Sequence, residues 1–300
     1  MIGRCRLLVV GLLFGALTSL APAAAGAGSG ALLGTGDSIA FGTNISLNPA
    51  DASSFVGYPT DVAAAKGLAL TNTACPGETS SHFVSLAGAD LVCGVYRAQF
   101  PLHTSYTTSQ LDFTTGFLRA HPETQVVTID VGANDLFRLG LVCLTGRTTF
   151  TFQDIVTLGL SQNSTPSPQV QACVLNGLTA TLAQLGENLD TIYGTWRAAG
   201  YRGTIVALTV YSNNYANLAA TTLIADVDGV IVRHTAAFGG IVADGFGAFR
   251  NASAGSGGDA CRAGLLNPLP PQLGVAGCDV HPSPAGRAVL AGAVLRALRS

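Results

Sequence analysis

Four short stretches of this 300-residue chain hold side chains suited to catalysis. The first, Gly34-Thr35-Gly36-Asp37-Ser38-Ile39-Ala40-Phe41-Gly42, crowds small residues around one serine. Gly36 and Asp37 permit a sharp turn, which predicts Ser38 at a strand-to-helix corner with its hydroxyl exposed. A helix starting there aims free N–H groups and a partial positive charge at whatever the serine attacks. That suits a nucleophile whose reaction develops negative charge on oxygen. Alone, the stretch reads equally well as a glycine-rich turn in which Asp37 or Ser38 caps a helix. The second is Ala74-Cys75-Pro76-Gly77-Glu78-Thr79-Ser80, where Gly77 permits close backbone approach. The third, Gly132-Ala133-Asn134-Asp135, offers an amide that can donate to an oxyanion without adding a charge that must be desolvated. Its plainer reading is a helix-capping turn. The fourth is Asp279-Val280-His281-Pro282.

The elements around these stretches alternate between strand and helix. Ala31-Leu32-Leu33, Leu68–Asn72, Gln125–Val131, Thr204–Val210 and Gly240–Ala243 read as strands, the third being a β-branched run of the buried type. Phe55–Lys66, Ser105–Arg119, Gln169–Ala199, Thr221–Phe238 and Pro284–Leu298 read as helices. Such alternation predicts an α/β fold with a mostly parallel central sheet and helices on both faces. In that fold a site lies outside the carboxyl ends of the strands. Ser38 follows the first strand and Gly132–Asp135 follows Gln125–Val131, so both belong on that edge. Leu139–Gln169 and Ala248–Cys278 fit no βα unit and are expected as long loops, either walls of a cleft or surface insertions.

Composition narrows the function. The chain is 48% hydrophobic and 11% charged, with net charge −2. It carries no basic footprint for nucleic acid. Arg4 and Arg6, the apolar run Leu7–Leu20 and Ala21-Pro22-Ala23-Ala24-Ala25 have the form of a signal peptide over residues 1–25. The apolar run is too short to span a membrane, so no stable anchor is expected. Residues 26–300 are expected to form a single domain, secreted and monomeric. Cleavage there removes Cys5 and leaves six cysteines, an even number that argues for three disulfides in an exported chain. Of the 15 connectivities six cysteines allow, the sequential set Cys75–Cys93, Cys143–Cys173 and Cys261–Cys278 is preferred because each pair closes a local loop. No C-x-x-C pair or cysteine–histidine cluster has zinc-ligand spacing, so neither metal nor other cofactor is expected.

Together the four stretches resemble the SGNH/GDSL hydrolase superfamily of secreted esterases and lipases. Gly36-Asp37-Ser38 with Gly42, then Gly77, then Gly132-x-Asn134-Asp135, then His281-Pro282 with Gly286 match its blocks in order, from about residue 32 to 295. The resemblance implies a three-layer, flavodoxin-like fold. It implies Ser38 as nucleophile and His281 as the base that takes its proton and later returns it to the leaving group. It also implies an oxyanion hole formed by the Ser38 and Gly77 N–H groups and the Asn134 amide. The substrate would be a small-molecule or lipid ester.

The sequence departs from the family at one point. The family usually places an acid three residues before the histidine. Here that position is Cys278, and the acid, Asp279, is two before. Either the Asp279 carboxylate or the Cys278 carbonyl could then orient His281. Asp135 is expected to be structural, and Asp37 to support Ser38 through hydrogen bonds. Other folds fit less well: Gly36-x-Ser38-x-Ala40 lacks the final glycine of a G-x-S-x-G elbow, and Gly34-x-Gly36 lacks the third glycine of a dinucleotide loop. A carbohydrate O-acetyl esterase needs the same machinery, and a silent lipid- or glycan-binding member would keep the fold alone. The apolar Phe137–Leu160 region hints at an acyl-chain pocket. Asn44, Asn163 and Asn251 lie in N-x-S/T sequons.

Overall fold

A computed structural model describes residues 30–151, 154 and 166–299. The signal-peptide reading, Asn163 and most of 152–165 lie outside the described residues.

Five strands form the central sheet: β1 (Ala31–Gly36), β2 (Ala69–Asn72), β3 (Thr124–Asp130), β4 (Thr204–Leu208) and β5 (Ile241–Ala243). All pair in parallel, in the order β2-β1-β3-β4-β5. This is the flavodoxin-like order, with its switch point between β1 and β3. Strand order reverses there, so the chain leaves β1 and β3 in opposite directions and a crevice opens between their carboxyl ends. The register places Gly36 beside Asp130, the last residues of the two strands. Ser38 and Asn134 follow within a few residues.

Helices cover both faces. They are α1 (Ser38–Phe41), α2 (Tyr58–Lys66), α3 (Ser80–Val84), α4 (Cys93–Gln99), α5 (Gln110–Ala120), α6 (Ala133–Thr145), α7 (Pro168–Ala198), α8 (Leu218–Ala237), α9 (Gly245–Ser253) and α10 (Pro284–Ala297). The period-2 alternation of strands sorts the two cores. Leu32, Val126 and Val206 face α2, α9 and α10, packing with Tyr58, Phe249 and Leu290. Leu33, Val127 and Ile205 face α5, α7 and α8, packing with Leu118, Trp196 and Ile231. Among the described residues no helix is long and apolar enough to cross a membrane.

The five expected strands and five expected helices all form, with shifted ends. The helix expected from Ser105 begins at Gln110, because the Ser109 hydroxyl accepts the Asp112 N–H and caps it there. Val131 and Thr209–Val210 lie beyond the ends of β3 and β4.

The two expected loops are corrected. Residues 139–145 continue α6, which packs against the amino-terminal part of α7 and is joined to it by Cys143–Cys173. A Cβ on Gly177 would meet the Leu139 side chain at 2.5 Å, so a glycine lets the two helices close up. The apolar residues Phe137, Leu141, Val142 and Phe150 pack with Leu91 in a small core, so this part of the expected acyl pocket is filled by its own side chains. Residues 248–253 belong to α9, and Leu266–Pro268 (β6) pairs antiparallel with Cys278–Pro282 (β7). A sequence reading misses this hairpin because β6 is three residues long and ends in proline. The structure also pairs Cys75 with Cys93 and Cys261 with Cys278.

Candidate active site

Ser38 stands at the corner where β1 gives way to α1. Gly36 has φ +122°, and a Cβ there would lie 2.3 Å from the Asp130 carbonyl oxygen, so the turn needs glycine. The Gln110 side chain acts as an extra strand beside it. Its Oε1 accepts the Gly36 N–H at 2.7 Å, and its Nε2 donates to Gly36 O at 3.1 Å. Asp37 follows in extended conformation, and its Oδ1 accepts the Ile39 N–H at 2.9 Å, capping α1. Ser38 is the first residue of that turn and is 8% exposed.

One amide links this corner to the second stretch. Asn134, in the first turn of α6, donates from Nδ2 to Asp37 Oδ2 at 3.1 Å and to the Glu78 carbonyl at 3.0 Å. Both acceptors lie on the nitrogen side, which fixes the donor end of the amide toward the Asp37–Ser38 corner. Gly77, beside Glu78, has φ +78°, and a Cβ there would meet Val92 Cγ2 at 2.4 Å. The Glu78 side chain is buried behind it. Its Oε1 pairs with His82 Nδ1 at 2.5 Å and its Oε2 accepts from Gln110 Nε2 at 2.9 Å. Gln110 therefore braces the corner before Ser38 and the loop after Gly77 at once. Burial pushes the Glu78 carboxyl up from its ordinary value, against the pull of His82. Asp135 braces the start of α3, its Oδ2 accepting the Ser80 N–H at 3.0 Å and its Oδ1 the Ser80 hydroxyl at 2.6 Å.

His281 lies on β7, which packs against α1. In an extended strand residues two apart project to the same side. That explains the departure in spacing. Asp279 Oδ1 accepts His281 Nδ1–H at 2.8 Å and also the His281 backbone N–H. The spacing of two is what a strand needs, and the carboxylate rather than the Cys278 carbonyl holds the ring. With Nδ1 donating, Nε2 is left as the basic nitrogen. Burial alone would push the His281 pKa down, but the Asp279 carboxylate and, more weakly, Asp37 together outweigh it and the net shift is upward from 6.5. The strand is held from behind: the Tyr211 hydroxyl donates to Val280 O at 2.5 Å, and Cys278 is tied to Cys261. No hydrogen bond joins Ser38 Oγ to His281 among the described residues; such bonds often tighten only when substrate is bound.

The structure thus joins Asp37, Asn134 and the Gly77–Glu78 loop by direct hydrogen bonds, and packs the strand of His281 and Asp279 against the helix of Ser38. Sequence reasoning missed Gln110, Tyr58, Asp130 and Tyr211. Asp130 gave a signal, a carboxylate ending a buried strand at the switch point; Gln110, inside an ordinary amphipathic helix, gave none. A groove of about 660 Å3 lined by Asp244, Asn251, Val289 and Arg296, among others, contains none of the site residues.

The fold and these groups define a flavodoxin-like α/β architecture with a serine at its switch point. Residues 35–289 match the GDSL-like Lipase/Acylhydrolase family, and the chain belongs to that family. It is a carboxylic ester hydrolase of the GDSL type. A catalytic mutant of an acetylxylan esterase from Geobacillus stearothermophilus shares the fold, with a TM-score of 0.50 and 14% identity over 90% of this chain and 95% of that one. A phospholipase A1 from Streptomyces albidoflavus aligns over 90% of this chain and 98% of its own, at 19% identity and TM-score 0.49. No curated protein sequence matches this chain.

Proposed function

We propose that the protein is a secreted serine esterase or lipase in which Ser38 is the nucleophile, His281 the general base and acid, and Asp279 the group that orients His281. The reading rests above all on the 2.8 Å bond from His281 Nδ1 to Asp279, on a strand packed against the helix that begins at Ser38. His281 Nε2 takes the Ser38 proton as Oγ attacks the ester carbonyl carbon. The carbonyl π electrons move to oxygen, and the Ser38 N–H, the Gly77 N–H and the Asn134 amide, which turns one of its two N–H groups away from its resting acceptors Asp37 and the Glu78 carbonyl, receive the oxyanion. Collapse expels the alcohol, which takes the proton from His281, and leaves an acyl-serine. Water, deprotonated by His281, attacks the acyl carbon, and the second tetrahedral species releases the acid and restores Ser38. No metal or other cofactor enters these steps.

Residues 26–300 are proposed to act as one monomeric catalytic unit after removal of residues 1–25. The three paired disulfides support an oxidising, extracellular setting. Each could add roughly 3 kcal/mol by restricting the unfolded chain.

The test is hydrolysis of p-nitrophenyl esters from acetyl to palmitoyl, with Ser38→Ala as control. A maximum at medium or long chains makes the enzyme lipase-like, and a maximum at acetyl moves it toward the carbohydrate deacetylases. Silence across the series, with no turnover of acetylated sugars, overturns the hydrolytic reading in favour of a binding protein. The Gly77 donor has its own check. Gly77→Ala must force either a strained φ, costing about 1–3 kcal/mol, or a shifted loop. kcat is expected to fall by at least about tenfold with KM nearly unchanged, since an oxyanion donor acts in the transition state; urea unfolding measures the stability share.

A further inference from the structure

From Val126 to Ile129 β3 is a buried, β-branched run, and it ends on Asp130, whose side chain is buried beneath the nucleophile corner. The mechanism above uses no group at this position. Asp130 nevertheless touches each part of the corner. Its Oδ1 accepts from the Tyr58 hydroxyl and its Oδ2 from the Ala40 N–H in α1, both at 3.1 Å. Its carbonyl oxygen accepts the Asp37 N–H at 3.1 Å. Its carboxyl lies beside the Asp37 carboxyl, and both side chains are buried. Two buried carboxyl groups this close cannot both ionise, so one keeps its proton and can donate it to the other.

We infer that Asp130 is a positioning residue of the hydrolytic site: its carboxyl, kept protonated, donates to Asp37, and through Asp37 it sets the Asn134 amide and the first turn of α1. The inference rests on the hydrolytic reading.

The surroundings decide which of the two carries the proton. Asp37 faces Asp130 from β3, Tyr58 from α2, Asp135 from α6, Tyr211 from the segment after β4 and His281 from β7. His281 is the one basic group among these. It faces Asp37, as do the Ile39 N–H and the Asn134 amide. Asp130 has a phenol and one amide. The negative charge therefore settles on Asp37 and the proton on Asp130. The titration directions agree: burial pushes Asp37 up only to about 6, whereas burial and the Asp37 charge hold Asp130 well above the usual carboxylate range. At pH 7 to 8 a neutral Asp130 then steadies an ionised Asp37, whose charge holds both the cap of α1 and the Asn134 amide. The proton is not transferred during turnover.

The test compares Asp130→Asn with Asp130→Ala. Asparagine keeps an N–H for Asp37 and an oxygen for the Tyr58 or Ala40 donor. Its kcat at pH 7 to 8 is expected within about threefold of wild type. Alanine leaves Asp37 and the Ala40 N–H without that partner. Its kcat on a short soluble ester is expected to fall on the order of tenfold to a hundredfold, less than the loss of an oxyanion donor outright, with KM within about twofold. Infrared difference spectroscopy at pH 7 should show a protonated-carboxyl band in the wild type that Asp130→Asn lacks. Wild-type kcat in Asp130→Ala, an asparagine variant as slow as the alanine one, or no difference in that band each overturns the assignment. If Asp130→Ala fails to fold, the infrared comparison and the asparagine kinetics decide it. A wild-type protein with no ester turnover overturns the hydrolytic reading instead, while the band still reports where the proton sits.

Discussion

Ser38→Ala is expected to remove ester turnover, on the order of 10⁵–10⁶ in kcat, because the nucleophile and its base act as a unit and loss of either removes most of what the set achieves. The fold should be untouched. What Ser38 contributes to the architecture is its backbone, whose carbonyl accepts the Gly42 and Thr43 N–H groups at 3.0 and 2.9 Å. The cap on α1 belongs to Asp37. Stability should stay within about 0.5 kcal/mol of wild type, the usual range for a substitution that breaks no packing or buried bond. Chromogenic ester kinetics alongside thermal unfolding separate the two effects. A Ser38→Ala protein that still turns over sinks the mechanism.

His281→Ala should match that loss, whereas Asp279→Asn should cost less, roughly 10²–10⁴. The reason lies in β7. An asparagine oxygen can still accept from the His281 backbone and Nδ1, so the ring stays aimed, but the charge that stabilises the imidazolium is gone. The pH dependence carries the same logic. Catalysis needs neutral His281, whose pKa burial pushes down but the Asp279 carboxylate, with Asp37 behind it, raises to a net position above 6.5. Activity is therefore lost as pH falls through a midpoint above 6.5. In Asp279→Asn that support disappears and the midpoint of kcat/KM should move to lower pH. Profiles from about pH 5 to 9 test this, the window bracketing an ordinary histidine. Equal losses in His281→Ala and Asp279→Asn would make Asp279 as essential as the base itself, a full triad member, whereas an unmoved acid limb would mean that the charge of Asp279 acts otherwise than through the imidazole.

Much of the fold was legible because its signals are local. Gln125–Val131 announces a buried strand by composition. Gly200 marks the end of α7 by its conformational freedom, with φ +97°. Where the sequence misled, local signals conflicted or were too short. The continuation of α6 through residue 145 was hidden by an apolar patch next to a Ser/Pro-rich stretch. β6 and β7 exist only because they pair with each other, and neither segment declares a strand alone.

The sequence by itself determined the residue types of the site and their order, because a corner that exposes a serine needs glycines and small residues wherever it occurs. It also determined the alternation that forces a parallel sheet, and with it the edge on which Ser38 and Asn134 fall. Only the tertiary structure decided what surrounds them. The acid two residues before His281 reaches the ring because β7 is extended. Gln110 braces two loops because α5 packs across them, and Asp130 meets Asp37 because β1 and β3 are neighbours in the sheet. Contacts between residues 72 to 93 positions apart leave no local trace in composition or spacing, since the chain closes those distances only by burying its two cores.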